Sequence, residues 1–280
     1  MVVLAAGQIA PRDLAVDDAF VYWTDAGGTV MKVAKSGGDP ITLAANQDQS
    51  GFLALDGDFV YWTTTFGKTV MKVPKVGGVP QQLAVTPGHG GHITLSPGEV
   101  FFGSGVGMGA VMKVGKDGSG VTVLASGPAS PMGMTVSGSV LYWGNNDHSM
   151  MKVGTAGGVP TQYVVDQNVP GAMTHDQNNI YWAVLGDVNG FNGRVMKAAI
   201  GSADPVVLAI NESRPAAIAL DATHLYWTLQ WEGQIRRVPI AGGAVESLVK
   251  WQMTMYGLAV DEKAIYWTVW DDGTVMKQAL

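Results

Sequence analysis

The sequence of 280 residues contains no cysteine. This absence excludes disulfide bonds, thiolate metal sites and a cysteine nucleophile together, and it is neutral about the cellular compartment. Charged residues are scarce at 14%, and the formal net charge of −6 is not offset by any cluster of Lys and Arg. Proteins that bind nucleic acids need such clusters to displace counterions from phosphates, so we expect no nucleic-acid partner.

Long hydrophobic runs are also missing. No run approaches the roughly 18 apolar residues that a membrane-spanning helix requires, so we expect no membrane insertion. The apolar N-terminal stretch has neither the basic region nor the length of a signal peptide, and we interpret residues 2–5 as part of the fold. The abundant residues are glycine, with 38 copies, and hydrophobic types at 47%. Such a composition indicates a folded, β-rich chain with many tight turns.

One short pattern recurs seven times along the chain. It contains an aromatic pair, found at Tyr22-Trp23, Tyr61-Trp62, Phe101-Phe102, Tyr142-Trp143, Tyr181-Trp182, Tyr226-Trp227 and Tyr266-Trp267. A basic residue follows in the same register at Lys32, Lys72, Lys113, Lys152, Lys197, Arg237 and Lys277. A repeat of about 40 residues is typical of a β-propeller, in which each repeat forms one four-stranded blade.

Turn residues divide each repeat into four short strands. Five copies place an Asp five residues before the aromatic pair, where its side chain can bond the backbone of a tight hairpin, and glycine pairs such as Gly37-Gly38 suit the turn before the fourth strand. The last copy lacks a fourth strand, and residues 2–5 can supply it. We therefore predict an all-β, single-domain fold over residues 1–280: a seven-bladed β-propeller of four-stranded antiparallel blades, closed by the N-terminal strand that completes the last blade.

The words LAVD, VYWTD and GTVMKV resemble the YWTD repeat of low-density-lipoprotein-receptor class B propellers across essentially the whole chain. The chain is also similar to bacterial versions of this repeat, which are common in exported or lipid-anchored proteins. The resemblance implies a protein ligand and a secreted or cell-surface location. Two features depart from the family pattern: that family usually has six blades, and the final Asp of the word survives only as Asp25.

Positions shared by all repeats are expected to be scaffold. The repeat tryptophans should fill the gaps between blades. The repeat lysines should cover apolar blade surface with their stems while their ammonium groups stay in water. The loops that join the second and third strands vary most, and we expect them to lie on one face with the blade-to-blade connections. Binding residues usually lie on such loops.

Three of the nine tryptophans fall outside the repeat word, all in these variable segments around blades six and seven. Polar and flexible residues accompany them. The predicted ligand-binding set is Trp231, Glu232, Trp251, Met253, Tyr256, Trp270, Asp271 and Asp272. Aromatic rings beside a few acceptors suit a sugar ring or an apolar peptide side chain. The alternative is that the three tryptophans only cover the gap between two blades.

Catalytic patterns are weak. His89 and His92 lie close in sequence, and with Asp13 they could hold a metal ion near the channel mouth, although a third ligand is missing from the equivalent positions of other blades. Asp271-Asp272 could form an acid/base pair but is more typical of a solvated turn. His175 replaces an apolar residue of an inner strand and is expected to be a hydrogen-bonded core histidine.

The sequence therefore favours a non-catalytic binding module for a protein, peptide or glycan, without a cofactor and as a monomer. The first alternative is a propeller enzyme of lyase or lactonase type with a metal at the channel mouth. The second is a purely structural propeller.

Overall fold

The computed structural model describes residues 1–105, 109–127, 130–165, 167–187, 191–252 and 254–280. These residues form 28 β-strands in seven four-stranded antiparallel sheets, so the predicted seven-bladed β-propeller is confirmed. The chain divides into two compact units. The four-blade unit comprises Met1–Ser130 and Tyr256–Leu280, and the three-blade unit comprises Pro131–Met255. No helix among the described residues is long and apolar enough to cross a membrane.

The four-blade unit holds blades one, two, three and seven. Blade one consists of β2 (Pro11–Val16), β3 (Phe20–Asp25), β4 (Val30–Ala34) and β5 (Ile41–Ala44). Blade two consists of β6 (Ser50–Leu55), β7 (Phe59–Thr64), β8 (Thr69–Pro74) and β9 (Gln81–Val85). Blade three consists of β10 (His89–Leu95), β11 (Glu99–Gly105), β12 (Gly109–Gly115) and β13 (Thr122–Gly127). Blade seven consists of β26 (Met255–Val260), β27 (Ala264–Val269), β28 (Thr274–Ala279) and β1 (Val2–Ala5).

The three-blade unit holds blades four, five and six. Blade four consists of β14 (Pro131–Ser137), β15 (Val140–Asn145), β16 (Met150–Gly154) and β17 (Thr161–Val164). Blade five consists of β18 (Pro170–His175), β19 (Asn179–Val184), β20 (Gly193–Ala199) and β21 (Val206–Glu212). Blade six consists of β22 (Pro215–Leu220), β23 (His224–Leu229), β24 (Gln234–Pro239) and β25 (Glu246–Val249).

The two chain termini meet in blade seven, as the incomplete last repeat predicts. Strand β1 pairs antiparallel with β28, with Val2 opposite Lys277 and Val3 opposite Met276. Because β1 supplies the outermost strand of this sheet, blade seven has the same four-strand composition as the others.

The repeat Asp fixes both the first hairpin and the tyrosine in five of the seven blades. In blade one, Oδ1 of Asp17 accepts hydrogen bonds from the amides of Ala19 and Phe20 at 3.0 and 2.9 Å, and its Oδ2 accepts one from the hydroxyl of Tyr22 at 2.9 Å. Four other blades repeat this arrangement, at Asp56, Asp176, Asp221 and Asp261. The sequence predicted the bonds to the turn, and the structure adds the tyrosine.

The repeat tryptophans form the core, and a side chain of the preceding connection caps several of them. Trp23, Trp182 and Trp227 are fully buried. Their indole N–H groups donate to a residue 15 positions earlier in the chain, namely Gln8 at 3.1 Å, Gln167 at 2.9 Å and Glu212 at 2.7 Å. A buried donor without a partner costs about 1–3 kcal/mol, so these contacts tie the connection to the core.

The prediction that the repeat lysines leave their ammonium groups in water was wrong. Lys32 is only 9% exposed, and its Nζ donates to the carbonyl of Lys75 in the next blade at 2.6 Å. The same bond to a neighbouring blade is made by Lys72, Lys197 and Lys277. These lysines therefore link adjacent blades and do not form a ring of solvated charge.

Candidate functional site

The innermost strands of blades one to six each carry a β-bulge near their start. In blade one, Pro11 pairs with Asp25 and Leu14 with Trp23, so Arg12 and Asp13 together face the single residue Thr24. Equivalent register shifts occur in the innermost strands of blades two to six. Bulges redirect side chains and are common beside functional sites, so these two positions per blade are the first place to look for one.

The residues in these bulges differ sharply between the two units. In the four-blade unit they include Arg12-Asp13, Gly51-Phe52, Gly91-His92 and, at the same repeat position, Tyr256-Gly257. In the three-blade unit they are Met132-Gly133, Gly171-Ala172 and Ala216-Ala217. Side chains with charge, ring or hydrogen-bonding capacity are therefore concentrated in the bulges of the four-blade unit.

Threonines of the second strands hold the bulges in place. Oγ1 of Thr268 donates to the carbonyl of Arg12 at 2.5 Å, and Oγ1 of Thr24 donates to the carbonyl of Gly51 at 2.5 Å. Each bond runs from one blade to the bulge of the next, so the backbone under the bulge side chains is fixed by its neighbour. A fixed backbone is what a preorganised binding site requires.

A pocket of about 200 Å³ opens between these bulges, and we call it the Arg12 pocket. It is lined by Arg12, Asp13, Gly51, Phe52 and Tyr256. Its walls are mainly apolar, with one guanidinium group, and Tyr256 is 41% exposed. The pocket therefore combines aromatic surface with the guanidinium of Arg12 and the carboxylate of Asp13.

Trp270 supports the Arg12 pocket from the side. Its ring lies 5.1 Å from the guanidinium carbon of Arg12 and 4.9 Å from the ring of Tyr256, measured to its centroid. Trp270 is partly buried. The cation–π contact and the ring contact hold both side chains in place. The structure thus brings together two predicted site residues, Tyr256 and Trp270, with an arginine that the sequence interpretation had not selected.

Asp13 accepts a backbone hydrogen bond at each of its two carboxylate oxygens. Its Oδ1 accepts from the amide of Leu14 at 3.0 Å, and its Oδ2 accepts from the amide of Leu53 in the next blade at 2.9 Å. Burial raises the pKa of Asp13 to about 6 against the opposing effect of these two bonds. Asp13 therefore connects blades one and two.

The two histidines of the metal hypothesis contact aromatic rings. His92 stacks on Phe52 with ring centroids 3.6 Å apart, and burial lowers its pKa to about 3, so it is neutral at physiological pH. His89 meets Phe66 edge-on at 5.5 Å. Within the described part of the chain, no three His, Asp or Glu side chains are grouped closely enough to hold a metal ion.

His175 is a hydrogen-bonded histidine of the three-blade unit, as the sequence suggested. Its Nδ1 lies 2.8 Å from the hydroxyl of Thr135, and burial lowers its pKa. It therefore has a structural partner.

The remaining predicted residues of the four-blade unit lie on the turn after Trp270. Asp271 and Asp272 are both exposed. Gly273 closes the turn with φ +60°, and its amide and carbonyl bond Trp270 and Gln8. This position suits a solvated turn, and the proposed acid/base pair gains no burial from it.

Trp231 and Glu232 belong to the three-blade unit, and each has local partners. Trp231 is 43% exposed and contacts Phe191 at 5.7 Å between ring centroids, while the guanidinium carbon of Arg214 lies 5.6 Å from its ring. Glu232 forms an ion pair with Arg236 at 3.1 Å. The three side chains Phe191, Arg214 and Trp231 form a second exposed aromatic and cationic group.

Trp251, also in the three-blade unit, is 87% exposed and adopts a left-handed backbone with φ 69°. The same repeat position is left-handed at Gly7, Asn46 and Asn211, which are residue types suited to that conformation. A tryptophan there is unfavourable for the backbone and covers almost no surface. The alternative that Trp251 fills a gap between blades is therefore not supported. Met253 lies outside the described residues.

Two larger depressions of the four-blade unit, of about 670 and 480 Å³, surround ion pairs of the scaffold. One contains Lys35 and Asp261, and the other contains Lys75 and Asp17, both joined across neighbouring blades. A third such pair, Lys116 with Asp56, follows the same pattern. Because these pairs repeat with the blades, they are features of the scaffold.

The comparisons with known proteins support the fold. No protein-family model matches the sequence, and a search of curated proteins finds no match. Among solved structures, streptogramin B lyase has a TM-score of 0.83 and 15% identity, covering 99% of this chain and 96% of that one. The WD40 β-propeller domain of Doa1 has a TM-score of 0.80 and 15% identity, covering 99% and 94%. A chain of the nidogen/laminin complex has a TM-score of 0.62 and 16% identity, covering 94% and 89%. Since a lyase and a WD40 domain share this fold, function has to be argued from the site.

Proposed function

We propose that this chain is a non-catalytic binding module for a peptide segment of a protein partner, with the Arg12 pocket as its recognition centre. The observation that carries the proposal is the concentration of Arg12, Phe52 and Tyr256 in bulges whose equivalents in the three-blade unit are small or methionine. Scaffold requirements are the same in every blade, so they do not account for this difference. A ligand that contacts one part of the propeller does.

The exposed side chain of Trp251 gives independent support. Its conformation disfavours tryptophan by roughly 1–2 kcal/mol, and at 87% exposure the side chain gains little from packing. A large indole kept at such a position suits contact with a partner, since tryptophan is enriched among residues that dominate binding energy. The resemblance to YWTD propellers also favours a protein ligand and a secreted or cell-surface location.

An enzyme is less well supported by the geometry. Both carboxylate oxygens of Asp13 accept backbone amides, and His92 is stacked on Phe52. Both groups therefore already have contacts within the scaffold. A purely structural role remains the competing proposal, and binding experiments separate it from ours.

The test is a parallel screen of the wild-type chain on peptide and glycan arrays, with Trp270→Ala and Trp251→Asn as site variants. Each variant carries a residue type found at the same repeat position elsewhere in the chain, so folding should be retained. Val76→Ala is the control, because Val76 is 93% exposed on a turn between the third and fourth strands. We expect peptide hits that Trp270→Ala weakens and the control retains, and Trp251→Asn tests the exposed indole of the three-blade unit separately. No peptide hit, or hits that neither site variant weakens, would refute the proposal.

A further inference from the structure

We propose that the Arg12 pocket recognises a carboxylate group attached to an aromatic or apolar body. The inference deepens the proposed binding function and rests on it. The chemistry occurs both at the C-terminus of a peptide that ends in an aromatic residue and in small aromatic acids, and the experiment below separates these two sources.

The guanidinium of Arg12 has no ion-pair partner among the described residues. Arg236 pairs with Glu212 and Glu232, and Arg237 pairs with Glu246. By contrast, Arg12 has one long hydrogen bond, from Nη1 to the hydroxyl of Thr65 at 3.5 Å. Asp13 lines the same pocket, but its oxygens face backbone amides and form no ion pair with Arg12, so the guanidinium is suited to an anionic ligand.

Part of the Arg12 guanidinium group is buried and makes no hydrogen bond. Nε of Arg12 is inaccessible to solvent and has no hydrogen-bond partner. Burial also lowers the pKa of Arg12, which shows that the charge lies in a poorly solvated setting. Arginine binds carboxylates through two parallel N–H···O bonds, and such bonds are strongest where water is excluded.

The neighbouring carboxylate, Asp13, is held by the backbone. Asp13 precedes Leu14 in the same strand, and its two oxygens are directed at the amides of Leu14 and Leu53. The side chain is therefore engaged by the backbone and does not occupy the place of a ligand carboxylate.

The size and the lining of the Arg12 pocket suit an aromatic ring that carries a carboxylate. Phe52 and Tyr256 provide its aromatic walls, and its volume is about 200 Å³. A buried apolar cavity of about 150 Å³ already accommodates benzene, so one ring and a carboxylate fit here. A neutral sugar would need several acceptors for its hydroxyl groups, whereas the lining offers mostly apolar surface, the guanidinium of Arg12 and the backbone-bonded carboxylate of Asp13.

The experiment compares phenylacetate with its neutral analogue phenylacetamide by ligand-detected NMR titration of the full chain at neutral pH. The two compounds have nearly the same shape and differ in charge. A ligand of this size is expected to bind with a dissociation constant of roughly 1 mM. We expect the acid to bind at least about tenfold more tightly than the amide, because a hydrogen bond to a charged group is stronger than one to a neutral group.

Three variants assign the preference to its residue. Arg12→Ala carries the residue type that blade six has at Ala216, and it should abolish the preference for the acid. Arg12→Lys keeps the charge without the two-pronged geometry and should retain part of the preference. Arg237→Ala is the matched control, because it removes an arginine of the outer blade surface, and it should change nothing.

Equal binding of the two compounds, failure of phenylacetate to bind, or a preference that survives in Arg12→Ala would overturn the inference. Since the first two outcomes use the wild-type chain, poor folding of a variant does not hide them. A short peptide ending in phenylalanine, with a free or an amidated terminus, gives the second arm: preference for the free terminus identifies a peptide source, and preference only for phenylacetate identifies a small acid. Array hits that depend on Trp270 but are indifferent to Arg12→Ala would reject this inference and leave the binding function standing.

Discussion

The ion pair between Glu212 and Arg236 departs from the repeat in two coupled positions. Blades one and five cap the tryptophan indole with a neutral glutamine, Gln8 for Trp23 and Gln167 for Trp182, and every other blade places methionine where blade six has Arg236. Glu212, the last residue of β21 in blade five, is 1% exposed, and its oxygens accept from the indole of Trp227 in blade six at 2.7 Å and from Nη1 of Arg236 at 3.2 and 3.3 Å. The negative charge and its countercharge replace the neutral pair together.

We expect Arg236→Met alone to lower the free energy of unfolding by about 3 kcal/mol, because it leaves a buried carboxylate without its cation. Glu212→Gln alone should cost about 1 kcal/mol, since glutamine still accepts the indole bond and Arg236 keeps Glu232 and Gln234 as partners. The double variant recreates the glutamine and methionine of blades one and five. Its free energy of unfolding should lie within about 1 kcal/mol of that of wild type. The double-mutant cycle should thus give a coupling of about 3 kcal/mol.

The assay is denaturant unfolding of the four proteins, followed by tryptophan fluorescence and circular dichroism. Burial raises the pKa of Glu212 from its ordinary value of 4.5 against the effects of the indole and the guanidinium. A carboxyl group with a raised pKa contributes stability at low pH that is lost as the pH rises. The penalty of Arg236→Met should therefore be larger at neutral pH than near pH 4. A loss below about 1 kcal/mol in Arg236→Met, or a double variant as unstable as the sum of the single ones, would refute the reasoning.

Three further predictions concern single positions. Trp251→Asn should raise the free energy of unfolding by about 1 kcal/mol, because asparagine tolerates the left-handed backbone, and unchanged or lower stability in denaturant unfolding would contradict this. Burial raises the pKa of Asp13 to about 6, so the free energy of unfolding should fall by at most about 3 kcal/mol as the pH rises from 4 to 6. Asp13→Asn should remove this pH dependence from a series of thermal unfolding measurements. Although burial opposes it, hydrogen bonds led by the one from Lys75 lower the pKa of Asp17 to about 2, so stability should fall as the pH drops from about 4 to 2, and Lys75→Met should flatten that acid limb.

The fold was predictable from the sequence because the repeat states the same packing solution seven times. The aromatic pairs, the hairpin Asp and the missing last strand determine the blade count and the pairing of β1 with β28. The lysine contacts were not predictable in the same way. Whether Nζ of Lys32 meets water or the carbonyl of Lys75 depends on the distance between two blades, which no single repeat contains.

The site was predictable in part. Tyr256 and Trp270 stood out as aromatic residues outside the repeat word, and the structure places them beside each other. Arg12 was missed because it lies just before the apparent start of the first strand, in a bulge where the alternation of faces is interrupted. An alignment of the repeats at the bulge would have found it, since Arg12 and Tyr256 occupy one position that is glycine in blades two, three and five.

The measurement that tests the central claim most directly is a map of backbone amide NMR shifts on addition of the best-binding array peptide. The amides of Leu14 and Leu53 both donate to Asp13, and the indole of Trp270 lies against Arg12, so these three groups report on the Arg12 pocket. The account predicts that they shift together at ligand concentrations that leave the outer turns unchanged. Shifts confined to the outer turns or to the bulges of the three-blade unit would contradict it.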